Sequence, residues 1–351
     1  MRRCLIAVAL IGSACAPTTP ALSATPTVAP PSTMVAVPMQ PAPSPSPSSA
    51  SSPAPPSAGA SATPVPRPSS AFVAAAGDGV VWLFVDNSRL FRSRDRGETW
   101  VERVLPPQVI NGNISFVDDR NGWLLTAGSP ATGCMAQYFG VWRTSDGAAT
   151  WQKAFEDSFS ASSGCKSQLA FVDAERGYIS VSQRDAPPAV LRTADGGRTW
   201  SRSAVLADPP GFAFLPSVTR LDLGSAVADF GSTLLVSAVG QISGEYMRYV
   251  YRSTDRGSTW LYWRTLPTTM AIVFLTPIRW LQLGLASGAS DETTDAGATW
   301  HRVPTDYQQA AGVPPQVAFG DASTGYATLR ASLKRTTDGG AHWTSLTTPG
   351  M

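Results

Sequence analysis

The chain of 351 residues contains no run of 18 apolar residues, which excludes a multi-spanning helical membrane protein. No acidic and no aromatic residue precedes Phe72, and 16 of the 30 prolines lie between Ala16 and Ser70, where Arg67 is the single charge. A segment so poor in large apolar groups cannot offset the entropy of ordering it, so residues 16–70 read as a disordered linker. A basic excess is also missing. The formal net charge is +2, but with Arg2, Arg3 and Arg67 set aside 24 basic residues face 25 acidic ones. With no basic stripe either, a nucleic-acid partner is excluded. The two histidines, His301 and His342, both flank tryptophans, and two such strand residues do not make a metal site. No Gly-x-Ser-x-Gly elbow, phosphate-binding glycine loop or sustained helical period is present, and no cofactor is expected.

What is there begins with an export leader. Met1-Arg2-Arg3 is cationic, and Cys4 to Gly12 is a nine-residue apolar stretch, too short to span a bilayer. It runs into Gly12-Ser13-Ala14-Cys15, which resembles a bacterial lipobox, with Gly12 where Leu or Val is usual. On this reading residues 1–14 are the signal peptide, Cys15 is lipidated, and residues 15–70 tether a domain to a membrane surface by the anchor alone. The alternative is cleavage at an Ala-x-Ala-like site, with Cys15 incidental. Cys4 and Cys15 being spent, Cys134 and Cys165 remain; in an oxidising compartment they suggest a disulfide worth about 3 kcal/mol, against two buried thiols.

Residues 71–351 hold all 11 Trp and all 8 Tyr, and they are repetitive. A Ser/Thr-x-Asp-x-Gly-x-Thr-Trp pattern occurs six times, with its aspartates at Asp95, Asp146, Asp195, Asp255, Asp295 and Asp338. The tryptophans are Trp100, Trp151, Trp200, Trp260, Trp300 and Trp343; Ala148 replaces Gly in the second copy, and His342 replaces Thr in the last. The aspartates are 51, 49, 60, 40 and 43 residues apart, a period that suits a four-stranded propeller blade. A second element, Phe-x-Asp-x-x-x-Gly-Trp/Tyr, stands at Phe116–Trp123, Phe171–Tyr178 and Phe319–Tyr326, with Phe72–Trp82 as a looser version. Each repeat therefore reads as strand A, tight turn, strand B, variable loop, strand C, box turn, strand D.

These motifs resemble the Asp-box (BNR) repeat family of β-propellers. The Phe-x-Asp-x-x-x-Gly-Trp element resembles the photosystem II stability/assembly-factor branch, alongside sialidases, sortilin-type receptors and xyloglucanases. The resemblance covers about residues 71–351 and implies an all-β propeller of six blades, or of seven if one is degenerate. The box aspartates read as turn staples rather than calcium ligands, because each box supplies one carboxylate and calcium wants six to eight oxygens in one place. Each box Trp is expected to bury a large apolar area between strands or blades.

Fixed turns on one side leave the length variation to the loops on the other, where binding usually sits. The aromatics Tyr138, Phe139, Phe212, Phe214, Tyr246, Tyr249 and Tyr307 mark that candidate face; the alternative for each is inward packing. No catalytic residue is recognisable: a sialidase needs an arginine cluster with a Tyr/Glu pair and a further acid, and Arg92, Arg143, Arg192, Arg252 and Arg335, each just before a box, read as structural. The expectation is a protein-binding or complex-assembly scaffold in the cell envelope, periplasmic or at the surface. The alternative is a sialidase-like glycan-binding protein or glycoside hydrolase.

Overall fold

The structure, a computed structural model, describes residues 70–348 apart from 132–133, 158–162, 184–185, 213–220, 243–244, 269, 284–287, 308–315 and 330–331. The leader, Cys15, nearly all of the linker and Phe214 therefore lie outside the described residues. Blade 1 comprises β1 (Ala71–Ala75), β2 (Val81–Val85), β3 (Arg89–Ser93) and β4 (Val101–Arg103). Blade 2 comprises β5 (Asn113–Phe116), β6 (Gly122–Ala127), β7 (Phe139–Thr144) and β8 (Gln152–Glu156). Blade 3 follows with β9 (Cys165–Phe171), β10 (Gly177–Ser182), β11 (Ala189–Thr193) and β12 (Ser201–Arg202). In blade 4 the inner strand is split into β13 (Leu221–Asp222) and β14 (Ala228–Asp229), followed by β15 (Leu234–Ile242), β16 (Glu245–Ser253) and β17 (Leu261–Leu266). Blade 5 has β18 (Val273–Phe274), β19 (Trp280–Gln282), β20 (Ala289–Thr293) and β21 (His301–Pro304). Blade 6 has β22 (Val317–Phe319), β23 (Gly325–Leu329), β24 (Ser332–Thr336) and β25 (Thr344–Leu346).

The chain is a six-bladed all-β propeller. Each blade is an antiparallel sheet taken from contiguous sequence. Among the described residues no strand of blade 6 pairs with one of blade 1; Arg335 hydrogen-bonds across that seam. The A–B and C–D turns lie on one side, the turn face; the B–C loops and D–A connections lie on the other, the loop face.

The box turns hold themselves locally. In box 1 the Ser93 hydroxyl donates to Asp95 Oδ1 (2.7 Å) and accepts the Gly97 amide (2.7 Å); Asp95 Oδ1 accepts the Thr99 amide (2.9 Å) and Oδ2 the Thr99 hydroxyl (2.5 Å). The same four contacts recur in the other five boxes, with His342 Nδ1 meeting Asp338 Oδ2 (2.6 Å) in place of a hydroxyl. The Thr259 hydroxyl and amide hold the Asp255 carboxyl down to about 2. The residue whose amide meets the first hydroxyl is left-handed: Gly97 has φ of 93° and Ala148, its counterpart in box 2, has 58°.

The box tryptophans bury less than expected. Trp260 and Trp343 are in the core, whereas Trp100, Trp151, Trp200 and Trp300 are half-buried. Each stands one residue before its blade's outermost strand, at the edge of the sheet. The fully buried indoles are Trp82, Trp123 and Trp280, on the second strands. Trp82 stacks on Phe116 of the next blade (ring centroids 3.7 Å apart) and Trp123 on Phe171 (3.8 Å). This is the packing role of the Phe…Trp element: its Phe receives the ring of the preceding blade. The register of β1 on β2 corrects one reading, since Ala75 and not Phe72 occupies the Phe position of blade 1.

Candidate partner-binding face

On the turn face the inter-blade arginines are committed to the fold. Arg92 Nη1 donates to the Asp119 carbonyl of the next blade (2.9 Å), Arg103 Nε to that of Gly147 (2.7 Å), and Arg335 Nη1 to that of Arg96 (2.8 Å) and to Glu98 Oε1 (2.7 Å). Arg192 bonds Ser258 of blade 4. These guanidiniums stitch seams; they do not converge on a ligand.

On the loop face the structure sorts the candidate aromatics. Phe139 (1 % exposed), Tyr249 and Tyr307 (both 0 %) are core residues, not surface ones. Phe139 opens β7 and carries the Lys166 ammonium 5.2 Å from its ring centroid. Tyr249 lies within β16, edge-on to the half-buried Phe212 at 5.9 Å. Tyr307 packs edge-on against Trp343 at 5.2 Å, and its hydroxyl donates to the Thr328 carbonyl (3.4 Å). Tyr138 (45 %) and Tyr246 (56 %) are exposed, the latter near the tip of the β15–β16 hairpin, whose nine-residue strands exceed those of the other blades.

The described part of the blade 2 loop before β7 is fastened at several points. Cys134 and Cys165 form a disulfide with Cα atoms 5.0 Å apart, fastening the loop to the start of β9. The Gly128 amide donates to the Tyr138 carbonyl (2.9 Å), and Gln137 Nε2 to the Gly128 carbonyl (2.8 Å). Lys166 donates its amide to Gln137 Oε1 (2.7 Å) and its ammonium to the carbonyls of Gln137 (3.0 Å) and Gly164 (2.9 Å). Burial pushes that ammonium down to about 8, with Asp157 opposing. The Ile110 carbonyl, on the neighbouring D–A connection, accepts the Ala127 amide (3.1 Å). Around this anchored backbone Ile110, Met135 and Tyr138 remain exposed. Tyr138 donates to Glu156, which holds its hydroxyl proton and pushes the phenol up to about 12.

The inner strands enclose a central cavity of about 720 Å³. Its wall is mostly small and apolar with Asn113, Gln168 and Gln316 among the polar groups, and among the described residues it carries one charged side chain, Arg248. Arg248 belongs to β16, the third strand of its blade; it reaches the cavity where residues 223–227 leave the ladder between β13 and β14. It donates to the Met270 carbonyl (2.7 Å) and Ser237 Oγ (2.9 Å), and burial pushes it down to about 10. The open inner edges are capped sideways: Asn113 Oδ1 accepts the Leu169 amide (2.9 Å) and Ser115 Oγ that of Phe171 (2.8 Å). Among the described residues no group of three or more His, Cys, Asp or Glu is assembled that could hold a metal ion.

Sequence reasoning did not single out Arg248, Lys166, Ile110 or Met135. Only Lys166 carried a signal, its place directly after Cys165.

No family model matches the chain. A xyloglucanase from Paenibacillus sp is 28% identical over 153 residues, covering 36% of this chain and 14% of that one. The chain therefore spans only a small part of that relative's length. YCF48 from Cyanidioschyzon merolae is 17% identical, with a TM-score of 0.47 and 81% of this chain and 87% of that chain covered. The Hadza microbial sialidase Hz136 is 13% identical at a TM-score of 0.49, with 79% and 65% covered. The α-L-arabinofuranosidase Arb93A from Fusarium graminearum, solved with an iminosugar inhibitor, is 11% identical at a TM-score of 0.50, with 76% and 91% covered. What they share with this chain is the fold. YCF48 and a sialidase are thus both among the structural neighbours of this propeller, and function has to be argued from the site.

Proposed function

We propose that this chain is a lipid-anchored, extracytoplasmic propeller that binds a protein partner of the cell envelope through its loop face. The observation that carries the reading is the disulfide-anchored loop of blade 2, which exposes Met135 and Tyr138, with the exposed Ile110 on the connection hydrogen-bonded beside it. Apolar and aromatic groups held in place lose little freedom on docking, which is what an interface core requires. The cavity wall weighs against glycoside hydrolysis of the sialidase type, since the wall described presents one arginine and no carboxylate pair.

Cross-linking in native envelopes tests the reading, comparing the full chain with a Met135→Asp/Tyr138→Asp variant. One protein adduct should be lost in the variant and retained in Leu261→Asp, on the outer edge of blade 4. An unchanged adduct pattern would refute the assigned face. For the anchor, Cys15→Ala should move the protein from the membrane fraction to the soluble one; continued sedimentation with membranes would refute lipidation.

A further inference from the structure

One seam differs from those around it. At the seams after blades 1 and 2 a second-strand indole needs two things from the next blade: a ring to stack on and a carbonyl to accept its N–H. Trp82 finds Phe116 and the Asp118 carbonyl (3.2 Å); Trp123 finds Phe171 and the Gly196 carbonyl (3.0 Å). In blade 6 the corresponding residue is Tyr326, and the next blade is blade 1. There Ala75 stands in the Phe position and Gly77 in the position of Asp118. Across the seam Gly320 stands where blades 2 and 3 have Val117 and Val172. The backbones approach so closely that a Cβ on Gly320 would lie 3.2 Å from the Gly77 nitrogen.

Three large-to-small replacements at one seam leave a cavity of about 130 Å³ walled by Ala75, Gly77, Gly79, Gly320 and Tyr326. Tyr326 is 2% exposed, and its hydroxyl has no hydrogen-bond partner among the described residues. A buried hydroxyl left unpaired is costly unless something else satisfies it. Val80, Asp321, Thr324 and the exposed Asp78 and Arg96 complete the wall, and neither Asp78 nor Arg96 makes a side-chain hydrogen bond or ion pair among the described residues.

We propose that this seam binds a small neutral polyol of the size of one sugar residue. A hydroxyl both donates and accepts, so one ring can serve the phenol, the Asp78 carboxylate and the Arg96 guanidinium together. An anion would meet Asp78 and Asp321, and a cation would meet Arg96. The glycine backbones let the ring lie close. The site lies on the turn face and is independent of the partner-binding loop.

Saturation-transfer NMR on the full chain tests this, with the methyl glycosides of D-glucose, D-galactose, D-mannose and L-fucose as probes. At least one should bind saturably. Tyr326→Phe, which removes only the hydroxyl, should weaken it by roughly tenfold or more. Ala75→Phe, which restores the ring found at the neighbouring seams, should abolish it, and Tyr178→Phe in blade 3 should leave it unchanged. Absence of saturable binding by all four probes, or binding that survives both Tyr326→Phe and Ala75→Phe, would overturn the assignment.

Discussion

Replacing Trp123 with Ala tests whether inter-blade stacking, rather than the box, holds the ring together. The indole is fully buried, lies flat on Phe171 with 2° between the planes, and donates to the Gly196 carbonyl of the third box. Truncating a buried Trp costs about 3–5 kcal/mol. Of this about 1 kcal/mol belongs to the stack beyond its buried area, and about 1 to the hydrogen bond. Trp200 meets the same Phe171 edge-on at 6.0 Å but is half-buried, so its truncation should cost about 2 kcal/mol. In a domain of this size 1 kcal/mol moves the Tm by about 2–4 °C, so the two variants should differ by at least about 2 °C. Guanidinium unfolding followed by circular dichroism gives the free energies. A double-mutant cycle with Phe171→Leu should return a coupling of about 1 kcal/mol for Trp123. If Trp200→Ala cost as much as Trp123→Ala, or that coupling were zero, the stack would not be the stabilising element.

Two further outcomes are open to measurement. Cys134→Ser/Cys165→Ser should lower stability by about 3 kcal/mol, since the bond closes a loop over 31 positions; an unchanged denaturation midpoint would contradict that. The sixth box should be pH-sensitive where the others are not. Its hydrogen bond to Asp338 raises the His342 pKa above 6.5, so the stabilisation is fully present below 6.5 and lost as pH rises through the raised value. The Asp338 carboxyl is held far below 3.8, so its own contribution persists through mildly acid pH and fades only as pH falls through that depressed value. A Tm profile from pH 5 to 8 should therefore fall at its upper end in the native chain and flatten in His342→Thr. Identical profiles would remove His342 from the account.

The blades were legible because each box closes on itself. Ser93, Asp95, Gly97 and Thr99 complete their bonds within seven residues, so the pattern is the structure, and six copies give six blades. Exposure of the loop aromatics was not legible, because it depends on partners far away in sequence. Tyr249 reads like part of a variable loop, but the blade 4 strands run nine residues and carry it into the sheet, between Tyr251 and Met247. Tyr307 is covered by Trp343, 36 positions on. The Phe72 reading failed for a related reason: a Phe near the right place was present, and only the pairing of Ala75 with Val81 shows that the slot itself is empty.

The arginines show how a recognition-like composition can be consumed by the fold. Arg92 reaches the Asp119 carbonyl from a third strand, and blade 5 has Glu292 at that position. The loss is made good locally: Arg279, from the preceding turn, pairs with Glu292, and its Nη1 donates to the Ala322 carbonyl (3.1 Å). Ala322 occupies in blade 6 the place of Asp119 in blade 2, directly after the turn aspartate. What the fold needs is a guanidinium at that carbonyl, whichever strand or turn supplies it. A substrate-binding arginine is constrained differently, because it must meet other arginines at one point. Here the guanidiniums are spread over several seams, each on its own acceptor. That distribution is why a chain with 24 arginines among its 27 basic residues still offers a partner mainly the apolar, disulfide-anchored groups of its loop face.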